Sequence, residues 1–111
     1  MDYFRKAIDE LVSHLPNTIA VIENPHKYGC TVCNTSGIEK IIIINSDLSN
    51  EHKLYILCHE ICHFYKVNES VLVPQKKVAT EQMANKRAKA LLLAMGFDAS
   101  SFDAVYKKLS D

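Results

Sequence analysis

Residues 49–65 read SNEHKLYILCHEICHFY, and the fold turns on how this stretch is read. Ser49 is a residue type that caps a helix, and Glu51 suits the positive end of the helix dipole. At about 100° per residue, Leu54, Leu57, Cys58, Ile61, Phe64 and Tyr65 share one apolar face, while His59 and His63 point nearly opposite. The spacing predicts a helix running through Tyr65, with its core side and its polar side separate. Residues 59–63 are His-Glu-Ile-Cys-His, which stacks the two imidazoles one turn apart on the same line. Both can reach one metal ion. Zn2+ accepts two nitrogens and a carboxylate and keeps a fourth position for water, so Glu60, a fraction of a turn aside, is placed as general base. The plain structural alternative is a helix with two surface histidines.

Upstream, Phe4, Ala7, Ile8, Leu11, Val12 and Leu15 recur at three and four residue steps, predicting an N-terminal helix ended by Pro16. TIAVIE (18–23), YGCTVC (28–33) and IEKIIIIN (38–45) are β-branched runs broken by Asn24-Pro25 and Ser36-Gly37, predicting a three-stranded antiparallel sheet. Downstream, a polar stretch around Pro74 precedes a helix from about Thr80 to Met95, stopped by Gly96. Ser100 can cap a short C-terminal helix bearing Phe102, Val105, Tyr106 and Leu109. No repeat or linker interrupts the 111 residues, so the expected architecture is one α+β domain spanning residues 1–111.

Thirteen Lys and Arg balance thirteen Asp and Glu, leaving no field that would attract nucleic acid or an anionic membrane. The apolar run Ile41–Ile44 is far too short to span a bilayer, and the opening MDYFRKAIDELVSHL lacks a secretory apolar stretch. With no such signal, four cysteines point to a reducing compartment, and the expected location is the cytoplasm. Cys30 and Cys33 form a lone Cys-x-x-Cys without a second pair, so they read as strand residues, and Cys58 and Cys62 read as core thiols. His14 and His26 show no ligand spacing.

The segment GIEKIIIINSDLSNEHKLYILCHEICHFYK, followed by TEQMANKRAKALLLAM, resembles the ImmA/IrrE family of zinc metallopeptidases of bacteria, phages and mobile elements. The features that carry it are Ile44-Asn45, the Ser49 cap, His59 to His63, and a later helix opening on Glu81 with Ala84 and Asn85. The resemblance spans the central and C-terminal two thirds of the chain. It departs in Leu93-Ala94-Met95-Gly96, where the family often closes on a Leu-Met-Pro-like end, and in a short joining segment. It implies a zincin-like fold, a zinc ion held by His59, His63 and Glu81, and Glu60 as catalytic base. Glu69 is the rival third ligand by spacing, but that arrangement relies on a helix-breaking glycine where this chain has Lys66. The implied function is hydrolysis of a protein substrate, with a helix-turn-helix repressor as the family's typical target. The alternatives are a zinc-stabilised antirepressor that binds without cutting and a toxin-like module. His52, Tyr55 and Tyr65 are the candidates for stabilising the oxyanion or contacting substrate, each with packing as the plainer role. Neither the substrate's identity nor the oligomeric state is legible.

Overall fold

In the computed structural model of the chain, the residues described are 2–25, 30–33, 40–69 and 71–110, with 30–33 and 108–110 described as backbone alone. Helix α1 spans Tyr3–His14, strand β1 Ile19–Asn24, β2 Cys30–Cys33, β3 Lys40–Asn45, helix α2 Asn50–Ile61, strands β4 Tyr65–Asn68 and β5 Val71–Pro74, helix α3 Glu81–Ala94, and helix α4 Phe102–Ser110. The architecture is α+β, as expected. The Asp2 carboxylate opens α1 by accepting from the amides of Phe4 and Arg5 at 3.0 and 3.1 Å, which satisfies donors that no helical carbonyl can reach. Glu23 on β1 then draws three elements together, meeting Arg5 of α1 at 3.0 Å and Lys53 of α2 at 2.8 Å.

The three-stranded sheet has the order β1-β3-β2 and is mixed, which corrects the antiparallel expectation. β1 runs parallel to β3, with Ile19 opposite Lys40 and Asn24 opposite Asn45. β2 pairs antiparallel on the other side, Cys30 opposite Ile43 and Cys33 opposite Lys40. The breaks at Asn24-Pro25 and Ser36-Gly37 suggest successive hairpins, yet β1 and β2 do not pair. The longest β-branched run, IIII, takes the centre. There Ile42 and Ile44 are buried to 1 % exposure against the helices, and the less apolar strands become edges. A second sheet is the hairpin β4–β5, absent from the sequence reading. Its alternation is visible in hindsight: Tyr65 and Val67 turn toward the core and Lys66 and Asn68 away, with Glu69 at φ 51° in the turn.

α2 lies at the centre, in contact with α1, β3, α3 and α4. Residues 54–62 are all buried, His59 at 0 % exposure and Glu60 at 6 %. The expected separation of a core face from a ligand face is therefore corrected: α3 and α4 cover the side carrying the histidines. The helix is also shorter than predicted, ending at Ile61 with Cys62 as its cap, so His63 lies just beyond it. The turn tightens there, with the His63 amide donating to the Glu60 carbonyl at 3.4 Å and that of Phe64 to Ile61 at 3.0 Å. His63 still comes round to the side of His59.

Thr80 caps α3 through the Met83 amide at 3.2 Å. After the Met95 cap, Gly96 adopts φ +87°, a left-handed turn that costs a glycine little. Ser100 does not cap α4 with its side chain. Its hydroxyl donates to Asp98 at 3.0 Å, while the Ser101 carbonyl accepts from Val105 at 3.0 Å. Phe102 of α4 is fully buried, with its ring 5.4 Å from that of Tyr55 and 5.5 Å from that of Tyr106. Phe102→Ala should cost about 3–5 kcal/mol of stability. Leu93→Ala, at a site 63 % exposed, should cost under about 1 kcal/mol. Urea unfolding followed by circular dichroism checks both, and equal midpoints for the two variants would contradict this account of the core.

Candidate metal centre

His59 leaves the last turn of α2 toward α3 with its side chain 1 % exposed. Its Nδ1 lies 2.6 Å from Asn85 Oδ1, and His63 Nδ1 lies 2.8 Å from the Ala79 carbonyl oxygen. Both oxygens only accept, so each ring carries its proton on Nδ1 and leaves Nε2 with a free lone pair. The two Nε2 atoms are 3.0 Å apart. Glu81 completes the group, with Oε2 3.0 Å from His59 Nε2 and Oε1 3.0 Å from His63 Nε2.

Two lone pairs and a carboxylate held this close repel one another unless a cation or a proton lies among them. Burial pushes the His59 imidazole below its ordinary pKa, against the opposite pull of Glu60 and Glu81, which favours the neutral ring. A metal ion resolves the arrangement without a proton. His59, His63 and Glu81 thus form a group that could hold a metal ion. Donors about 2.0–2.1 Å from a tetrahedral zinc stand about 3.3–3.4 Å apart, so the observed separations need to open by only a few tenths of an ångström. The outer hydrogen bonds to Asn85 and Ala79 supply the orientation that metal-binding imidazoles generally receive from a second layer of partners.

The sequence explains why α3 can reach so far in. Ala84 and Ala88 are both at 0 % exposure against the neighbouring helix, and such small side chains allow a close approach. Glu81 and Asn85 are four apart on α3 as His59 and His63 are along the chain of α2, so a pair from each side meets. Glu81 itself remains open, its side chain 72 % exposed. Glu69 sits in the β4–β5 turn and is not in the group.

Glu60 is buried beside the donors, and its charge acts on both His59 and Tyr106. The structure places the three oxyanion candidates elsewhere in the packing. Tyr55 donates its hydroxyl to Glu51 at 3.0 Å and meets Ser101 at 3.2 Å, tying α2 to α4. His52 lies two turns before His59 with its ring 6.4 Å from that of Tyr55, and Tyr65 opens β4 against the core. The tyrosine that does pack on His59 is Tyr106, ring centroids 4.3 Å apart at 26°, which the sequence reading treated as one more apolar position of α4. Asn85 entered that reading only through the family resemblance, and Ala79 not at all.

Cys58 and Cys62 are buried free thiols. Burial raises both, Cys62 to about 12, so neither offers a thiolate at neutral pH. Cys30 and Cys33 have backbone in β2, their side chains lying outside the described residues, as His26 does entirely. Among the described residues, no helix is long and apolar enough to cross a membrane.

His59→Ala and His63→Ala should each abolish stoichiometric zinc uptake, and Glu81→Gln should weaken it where Glu69→Gln does not. Asn85→Ala should weaken it about 10- to 100-fold by releasing the His59 ring. Metal analysis after dialysis against zinc-buffered solutions reads all five, and undiminished zinc in both histidine variants would remove the site. Comparison of the chain with protein-family models, with curated proteins and with solved structures finds no match.

Proposed function

We propose that the chain is a zinc metallopeptidase of the ImmA/IrrE kind, acting in the cytoplasm on a regulatory protein, with a transcriptional repressor as the expected substrate. The observation that carries this reading is the convergence of His59 Nε2, His63 Nε2 and the Glu81 carboxylate, each pair 3.0 Å apart, beside a buried carboxylate that is not part of the group. Two imidazoles and a carboxylate are a ligand set of catalytic zinc sites, which hold three protein ligands and keep one position open. A zinc ion bound there would supply Lewis acidity to the scissile carbonyl and make water easier to ionise.

The protein's own residues divide the remaining work. His59 and His63, each held through Nδ1, present Nε2 without reorganising. Glu60 accepts the proton of the attacking water and returns it to the leaving amine. An extended substrate could add to the edge strand β2, whose Cys33 pairs with Lys40. The Lys40 ammonium lies 4.7 Å from the ring centre of Phe64, the residue after His63, so that end of the sheet adjoins the site. A module that only gripped its partner would have no use for a buried carboxylate beside the metal ligands.

Glu60→Gln preserves shape but cannot take a proton. Cleavage of a helix-turn-helix repressor substrate should fall about 10²- to 10⁴-fold, while zinc content and melting temperature stay near wild type. Co-expression with that repressor, followed by immunoblotting for its length and a reporter for its activity, makes the measurement. If Glu60→Gln relieves repression as well as wild type and the repressor stays whole in both, the chain is a binding module and the peptidase reading fails.

A further inference from the structure

Tyr106 is 8 % exposed, and its hydroxyl makes no hydrogen bond to any described residue. Among the described residues no fully enclosed polar side-chain atom lacks a partner, so no described residue seals this hydroxyl off from solvent or a ligand. The ring stacks on His59 at 4.3 Å, and the hydroxyl lies within electrostatic reach of both Glu60 and Glu81. The ring is also parallel to that of Phe102, 5.5 Å away at 4°, so the side chain is held by stacking with both an imidazole of the candidate metal group and a core phenyl. A mostly buried phenol without a partner is costly unless its hydrogen bond is made to something else.

We infer that Tyr106 is a catalytic residue, donating its hydroxyl hydrogen bond to the scissile carbonyl oxygen of a substrate amide as that oxygen gains negative charge. The assignment rests on the metallopeptidase reading and replaces the weaker candidates His52, Tyr55 and Tyr65. It fits the division of roles. Glu60 handles the proton of water, whereas Tyr106 keeps its own proton throughout and stabilises charge on the opposite atom of the reacting bond. Being clamped by two rings, the hydroxyl is preorganised and needs no rearrangement as the charge develops.

Tyr106→Phe keeps both ring stacks and deletes only the donor. The test uses the cobalt-loaded protein and acetohydroxamate, whose carbonyl and hydroxamate oxygens chelate a metal where the carbonyl oxygen and the attacking water would lie. Cobalt uptake and melting temperature should match wild type, and the acetohydroxamate Kd, read from the visible cobalt spectrum, should rise about 10- to 100-fold. Tyr55→Phe, which breaks the bonds to Glu51 and Ser101 but leaves the metal surroundings alone, should bind acetohydroxamate as wild type does. Equal affinity in wild type and Tyr106→Phe overturns the role of Tyr106 and leaves the metal centre standing. A wild-type protein that takes up no cobalt overturns the metal reading, and this inference with it.

Discussion

The close contact of α2 with α3 is the constraint on which the rest depends. Each side contributes a pair of polar residues four apart, His59 on α2 with His63 just beyond it and Glu81 with Asn85 on α3, and the fully buried Ala84 and Ala88 suit a close approach of the helices. A larger side chain at either alanine would push α3 outward and carry Glu81 and Asn85 with it. The bond of 2.6 Å from His59 to Asn85 and the 3.0 Å approaches of Glu81 to both imidazoles have little slack. Packing and ligand geometry are thus one property of this structure. Overpacking a helix interface typically costs a few kcal/mol, and here it would also disperse the donors.

Much of this frame is written locally in the chain. Ser49 accepts a backbone hydrogen bond at the start of α2 and Gly96 marks the stop of α3, as their residue types suggest, so the helices could be placed by period and end signals, although the end of α2 and the cap of α4 could not. The sheet could not. Three β-branched runs separated by short breaks are compatible with several pairings, and the choice of IIII for the centre depends on which strand α2 covers, a non-local matter. The hairpin β4–β5 escaped because the apolar spacing of α2 was carried past Ile61 as a continuing helix, hiding the period-2 pattern that begins at Tyr65.

For the candidate metal group, spacing alone brought His59 and His63 together and drew attention to Glu60 between them, since residues four apart on a helix are neighbours whatever surrounds them. Glu81 lies 18 positions beyond His63, and no local rule connects the two. Its place followed from a family resemblance and from the absence of a glycine that Glu69 would have required. Tyr106 was hidden by its company. Within Phe102, Val105, Tyr106 and Leu109 it obeys the helical period of an apolar face, and its proximity to His59 arises from the way α4 folds back over α2. Amphipathic pattern shows that a residue is inward, never what it meets there.

Burial is graded across the donors, and the gradient gives the site a direction. The side chains of His59, His63 and Glu81 are 1 %, 12 % and 72 % exposed in turn. At the inner end Tyr106 stacks on His59, with buried Glu60 beside it, so the groups that the proposed reading assigns to proton transfer and charge stabilisation are nearly as sheltered from water as His59 itself. Fixed dipoles act most strongly there, because little solvent screens them. At the outer end Glu81 is open to solvent, so under the proposed function the approach for a protein segment would lie on that side. A substrate entering from the Glu81 side would bring its amide to the two histidines before meeting the hydroxyl and carboxylate behind them. On the proposed reading, the sheltered hydroxyl and carboxylate are groups whose roles would develop only as the bond breaks, a placement that would favour the transition state over the bound substrate.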